Sequence, residues 1–379
     1  PKASDAEVVR ADNARFTVLT DRMIRMEYSP EGAFEDRASL TFVNRKLPVP
    51  DFKVTYSDAG CTIDTGAIKL VYAGGEFSPE TLSITAKTFA WKFGDVDTGN
   101  LYGTTRTLDG VGDWSSLMKK MEKGLISRNG WTLVDDSSRH ILVPTNDMWG
   151  EWVVERNAPK GNLDLYFFGY GHDYKGCLRD YTKVAGSVPL PPRWAFGYWW
   201  SRYWLYTDAE IRELVDQMKS VGYPIDVFII DMEWHETWGI GDRPDIRDEF
   251  GEMWGWTGYT WNKRLFPNPK STLDYLHAND CKVSLNLHPA SGIQMVESCY
   301  DAFCKDYGWT PTNAVPYRAT DPKWCESYFK TVLGPMEKEG VDFWWLDWQQ
   351  WKTDKDVKGL SCTFWLNHLF SRHMALKDD

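Results

Sequence analysis

Short alternating runs of apolar and polar residues dominate the first half of the chain. Residues 15–20 and 23–28 are β-prone and split by Asp21-Arg22. Residues 52–56, 61–64 and 67–72 repeat the pattern between Asp58-Ala59-Gly60 and Gly74-Gly75. Strands at this spacing, punctuated by turn residues, predict an all-β sandwich. Residues 163–170 read as a late strand closing that domain, and residues 174–184 as a short linking helix.

The pattern changes at Pro189-Leu190-Pro191-Pro192, a stiff boundary that divides a domain over 1–188 from one over 189–379. Beyond it, strands alternate with helices. Residues 194–200 predict a strand, and Thr207 with Glu210 three residues on forms a capping box. Ile211, Leu214, Val215 and Met218 then make one apolar helical stripe that Gly222 ends. Residues 225–231 form a continuous apolar strand flanked by acids, followed by a polar and aromatic insertion over 232–268. A helix over 271–278, a strand over 282–287, a helix from Asp321-Pro322 to Glu339, a strand over 341–347 and a helix over 363–374 complete the series. Buried strands separated by helices imply a parallel sheet. Four such units are half of a (β/α)8 barrel. Either the sheet is open and doubly wound, or the chain stops midway through a barrel, where chemistry collects at the C-terminal strand ends.

Composition narrows the function classes. The 379 residues carry a net charge of −11, which argues against a phosphate backbone as partner, and no apolar run is long enough to span a membrane. Sixteen of the 21 tryptophans lie from Trp194 onward, more amphipathic rings than core packing asks for. The seven cysteines form no CxxC and no zinc-like spacing, so free thiols are expected. An odd count favours a reducing, cytoplasmic compartment; secretion or a periplasmic place stays open if a leader was removed before Pro1.

Asp231 and Asp347 each end an apolar strand and are followed by aromatic residues, in Ile-Ile-Asp231-Met-Glu-Trp-His and Trp-Trp-Leu-Asp347-Trp-Gln-Gln-Trp. Carboxylates among indoles suit sugar chemistry: the carboxylate attacks or stabilises an oxocarbenium-like carbon while flat rings stack on the sugar. Each acid equally suits a loop cap or a pair with a neighbouring arginine. Glu233, His235 and Glu236 lack the i, i+4 histidine pair of a helical zinc site and read as a polar loop network. Gly239-Ile240-Gly241 is a loop with no phosphate-binding pattern around it, and Trp254 and Trp256 either line distal sugar subsites or pack the insertion. No cofactor and no metal are expected.

The blocks Leu190–Tyr198, Ser201-Arg202-Tyr203, Tyr223–Val227, Ile230-Asp231-Met232, Tyr259–Asn262, Phe266–Pro269, Leu276-His277-Ala278 and Gly340–Asp347, in this order and spacing over about 160 residues, resemble the catalytic barrel of glycoside hydrolase family 31. The β-rich N-terminal region, including Leu101-Tyr102-Gly103, is similar to that family's N-terminal sandwich by weaker motifs. The resemblance implies an N-terminal β-sandwich followed by the first half of a (β/α)8 TIM barrel. It places the catalytic nucleophile at Asp347, an acid binding sugar hydroxyls at Asp231, and a pocket-shaping ring at Trp345.

Three positions depart from the family's pattern. Trp348-Gln349-Gln350 follows the nucleophile in place of Met-Asn-Glu, Tyr203 stands where tryptophan is common, and His288 replaces an aspartate before Pro289. Tyr203, His288 and Trp348 are therefore expected around the sugar, and neutral Gln349 and Gln350 lower the negative charge near Asp347.

The implied activity is a retaining, exo-acting α-glycoside hydrolase, most simply an α-glucosidase, working by double displacement on an oligosaccharide or α-glycoside. An α-xyloside, α-galactoside or α-N-acetylgalactosaminide, or transglycosylation, stays open, as does a non-catalytic carbohydrate-binding homologue. In the family the general acid lies on a later strand, so the chain is expected to be the N-terminal part of a longer enzyme. The remainder of the same polypeptide, or a second chain, would complete the barrel.

Overall fold

A computed structural model describes residues 1–103, 122–236, 256–347 and 353–377. These fall into two compact units that part between Pro189 and Leu190.

In the first unit, β1 (Val8–Ala11), β2 (Ala14–Val18) and β3 (Met23–Tyr28) form a meander, and β4 (Ala38–Ser39) belongs to a small separate sheet. A second meander follows: β5 (Lys53–Tyr56), β6 (Cys61–Asp64), β7 (Lys69–Tyr72), β8 (Leu82–Thr85) and β9 (Ala90–Lys92). After β10 (Thr132–Asp135), β11 (Ile141–Pro144) and β12 (Glu151–Val154), the chain returns through β13 (Leu163–Phe168). That last strand pairs with β3 from Leu163↔Tyr28 to Phe168↔Met23, giving the order β1-β2-β3-β13-β10. Phe16, Ile24, Met26, Leu165 and Phe167 share one core with Ile63, Leu70, Ile84 and Trp91 of the second meander. The expected sandwich is therefore present. Helix α1 (Tyr174–Ala185) adds Cys177 and Val184 to a smaller cluster with Phe42, Tyr166 and Phe168.

Strands β2 and β3 are buried along both faces, so their alternate positions could not be left to water. Register sets Arg15 beside Glu27, and Glu27 beside Asp164. Arg15 grips Glu27 with two hydrogen bonds of 2.7 and 2.8 Å. Arg25 grips Asp164 likewise, at 2.8 and 2.7 Å, and Arg156 adds a third bond of 2.7 Å to Asp164. Burial alone would raise the Asp164 carboxyl, yet Arg25 and Arg156 outweigh it and hold the group at about 2. Neighbouring Asp136 faces the opposite balance: burial and the Asp164 charge push it up to about 6.

The second unit holds β14 (Trp199–Ser201), α2 (Asp208–Ser220), β15 (Val227–Ile230), α3 (Pro269–Ala278), β16 (Lys282–Leu287), α4 (Tyr300–Tyr307), α5 (Pro322–Ser327), α6 (Gly334–Glu339), β17 (Phe343–Leu346) and α7 (Cys362–Ala375). The sheet runs β14-β15-β16-β17, every pair parallel. A doubly wound sheet reverses its strand order at a switch point. No reversal occurs among the described strands.

Two expectations change. The strand expected over 194–200 is a 3-10 turn, Arg193–Phe196, followed by the short β14. Pro191 and Pro192 precede the turn, and a Cβ at Gly197 would lie 2.2 Å from Asp226 Cγ, so regular pairing begins only beyond it. The helix expected from Asp321 to Glu339 is continuous but passes through a π segment, Tyr328–Leu333, between α5 and α6. Pro335 has no N–H to give the carbonyl four residues back, and one wider turn absorbs the mismatch.

Helices α6 and α7 are tied to β17 by Glu337. Its carboxylate lies 3.0 Å from His373 Nε2 and accepts from Trp344 Nε1 at 2.8 Å and Lys377 Nζ at 2.9 Å. Burial opposes ionisation, but these partners lower the group to about 2. Because the folded value lies below the unfolded one, the stabilisation is present above about pH 4.5 and lost as pH falls toward 2. The ceiling is about 3 kcal/mol. Glu337→Gln is expected to unfold at lower urea at pH 7, with the gap to wild type closing near pH 3; equal midpoints at pH 7 would contradict this role.

No helix among the described residues is long and apolar enough to cross a membrane. All seven cysteines are free, and burial pushes Cys61 and Cys281 up to about 11 and Cys177 to about 12.

Candidate active site

Parallel register decides what meets at the C-terminal end of the sheet. Ser201, Ile229, Ser284 and Phe343 stand level across the four strands, and Asn286 stands level with Trp345. Counting on by two keeps a side chain on the same face. Asp231, Asn286, His288, Trp345 and Asp347 therefore all emerge on one face, while Phe228, Ile230, Val283, Leu285 and Leu287 fill the other and are buried.

Asp347 leaves β17 with its N–H donated to Leu287 O at 3.0 Å, so β16 and β17 part together. Asn286 Nδ2 donates to Asp347 Oδ2 at 2.9 Å, and His288 Nε2 lies 3.5 Å from that same oxygen. On the neighbouring strand, Asp231 caps the 3-10 turn Met232–Trp234 and accepts from Met232 N–H at 2.7 Å. Burial raises the Asp231 carboxyl, and the Asp347 charge adds to that rise; the Met232 N–H and His288 act the other way.

The walls of this end are held by backbone-directed bonds. Trp234 Nε1 donates to Asn286 O at 2.8 Å, and Thr257 Oγ1 donates to His288 O. The rings of Trp256 and His288 meet edge to face at 5.4 Å. Trp345 is 39% exposed, with Trp199 6.4 Å away, leaving a flat apolar ring at the mouth. Tyr203 is exposed two residues beyond β14; partial burial, then the charges of Glu233 and Asp231, raise its hydroxyl, which places it on the same rim.

Asp231, His288, Trp345 and Asp347, singled out from sequence, thus share one face, and Tyr203 joins at the edge. Trp348, Gln349, Gln350, Trp254 and the Gly239–Gly241 loop lie outside the described residues. His235 is fully buried with Nδ1 2.7 Å from Glu236 O, and burial lowers it to about 4, so it stays neutral. Asn286 and Thr257 were not singled out. The signal for Asn286 was available: Ser284, Asn286 and His288 are polar at every second position of an otherwise apolar strand.

A parallel sheet with acids and indoles at its C-terminal edge is an arrangement suited to carbohydrate chemistry. Residues 188–367 match the model described as the glycosyl hydrolases family 31 TIM-barrel domain. These residues, a little under half of the chain, are thus similar to the barrel domain of glycoside hydrolase family 31.

Among relatives, an α-xylosidase of Saccharolobus solfataricus is 25% identical over 225 residues, covering 58% of this chain and 28% of that protein. An α-glucosidase of the same organism is 27% identical over 207 residues, covering 50% and 26%. The chain thus spans about a quarter of the length of these relatives. A dextranase of Flavobacterium johnsoniae, solved with glucose, superposes with a TM-score of 0.58 at 17% identity, over 89% of this chain and 46% of its own. An α-xylosidase from a soil metagenome, solved with xylose, gives 0.55 at 15%, over 97% and 61%.

Proposed function

We propose that this chain carries the nucleophile and part of the sugar pocket of a retaining α-glycoside hydrolase. The observation that carries the reading is the convergence of Asp231 and Asp347 on one face, with Asn286 fixing one oxygen of Asp347. Asp347 attacks the anomeric carbon as the aglycone oxygen leaves with a proton from a general acid, and water then releases the sugar with the same configuration. Asp231, half-buried at the end of β15, accepts hydrogen bonds from sugar hydroxyls. Trp345 offers a ring face to the sugar's C–H surface, and Tyr203 and His288 border the site. Trp348 is proposed as a further wall on the strength of the family resemblance.

The names of the relatives point to α-xylosides and α-glucosides as the first substrates to examine. A panel of 4-nitrophenyl α-glycosides at micromolar to millimolar concentration separates them. Release of nitrophenol from an α-glycoside, with the α-anomer as first product by NMR, is the expected result. A β-anomer as first product, or tight sugar binding with no cleavage of any member, contradicts it.

A further inference from the structure

We propose that His288 is a positioning residue for Asp347, acting on the carboxylate oxygen that Asn286 already holds. The inference rests on Asp347 being the nucleophile, and it adds a second arm to the support of that group. Asn286 Nδ2 and His288 Nε2 approach Asp347 Oδ2 at 2.9 and 3.5 Å, two residues apart on the same face of the same strand. The Asn286 bond has normal length; the His288 contact stands just outside hydrogen-bond range and closes with a shift of about half an ångström.

The imidazole is built into its place. His288 is 3% exposed, its carbonyl oxygen takes the Thr257 hydroxyl, and its ring edge meets Trp256. Its Nδ1 has no hydrogen-bond partner among the described residues, so Nε2 and the carboxylate form its one polar contact there. The titratable groups that face it come from three elements: Asp347 after β17, Asp231 after β15, and His235 after the 3-10 turn. Two are carboxylates, and the third is held neutral by burial.

A charged imidazole at this distance turns a weak contact into a charge-assisted one at Oδ2 and favours the ionised form that attack on the sugar requires. A histidine that only fills space against Trp256 would do none of this. The difference is visible without substrate.

The test is NMR of the chain labelled with 15N and 13C at histidine and asparagine, followed from about pH 5 to 9. His288 ring signals are assigned by their loss in His288→Gln, and the Asn286 side-chain amide by its loss in Asn286→Asp. The expected result is that the Asn286 amide moves with the same midpoint as the His288 ring, and that Asp347→Asn abolishes this common movement. His288→Gln, whose amide can stand where Nε2 stands, is expected to hold the Asn286 amide near its wild-type position without pH dependence, whereas His288→Leu displaces it.

A flat Asn286 amide while the ring titrates, a ring that keeps one protonation state throughout, common movement that survives in Asp347→Asn, or identical spectra for the Leu and Gln variants would each overturn the proposal. None of these readouts needs turnover, so a failure of the glycosidase reading on substrates would leave them unchanged.

Discussion

Asp347→Gly is expected to lower cleavage of an activated α-glycoside in the active protein by about 10⁴-fold or more, and azide is expected to restore part of the rate. The argument is geometric. Asn286 and the Asp347 backbone N–H both anchor the residue to β16, so the carboxylate is held on the face it shares with Trp345, where we propose that the sugar sits. Glycine removes the carboxylate and leaves a space on the attacking face. Azide entering that space forms the new C–N bond as the aryloxide leaves on the opposite face, so the product is the β-glycosyl azide. A rate within tenfold of wild type, or an azide product of α-configuration, would place the nucleophile elsewhere.

Arg25→Met is expected to cost about 3–5 kcal/mol, the largest single loss in the sandwich. Arg25 is 2% exposed, with Glu27 and Asp164 both 1% exposed beside it. Methionine fills part of the volume but leaves Asp164 with Arg156 alone and removes a 3.1 Å contact from Glu27. Two carboxylates then share too little positive charge in a site water does not reach. The loss is expected to shrink below about pH 4, where those acids take up protons and cease to be buried charges. Urea unfolding at pH 7 and pH 3 measures both parts. A midpoint at pH 7 equal to that of wild type would show that the network contributes packing and no charge compensation.

Local chemistry was readable where one physical rule decided the outcome. The Thr207–Glu210 capping box stands as expected, with both reciprocal bonds made, because cap spacing depends on neighbours in sequence alone. Residues 225–231 were readable as a buried strand because a continuous apolar run bounded by acids admits few other solutions. The segment 341–347 does hold a strand, Phe343–Leu346, but only Trp344 of it is buried and Trp345 is 39% exposed, so the expectation of burial fails there. The segment 194–200 was not: its aromatic residues fit a strand, and only the close approach of Gly197 to Asp226, 29 residues away, delays pairing to Trp199.

The site divides in the same way. Asp231 and Asp347 stood out because acids ending apolar strands are unusual, and His288 because it departs from the pattern of the family the sequence resembles. Their meeting depends on parallel register, which no single strand encodes, and so did the part played by Asn286. The paired arginines Arg15 and Arg25 looked like ordinary alternating strand residues; that both are buried follows from cover supplied by distant segments.

Covalent trapping tests the central assignment most directly. With 5-fluoro-α-glucosyl and 5-fluoro-α-xylosyl fluorides, fluoride leaves without needing a proton as the nucleophile's oxygen bonds to the anomeric carbon, and the slow second step lets the ester accumulate. Peptic digestion and mass spectrometry of the trapped protein then locate the sugar. The account predicts a single labelled peptide with the ester on Asp347 and no label in Asp347→Asn; a label on Asp231 or any other carboxylate, or equal labelling of the variant, would contradict it.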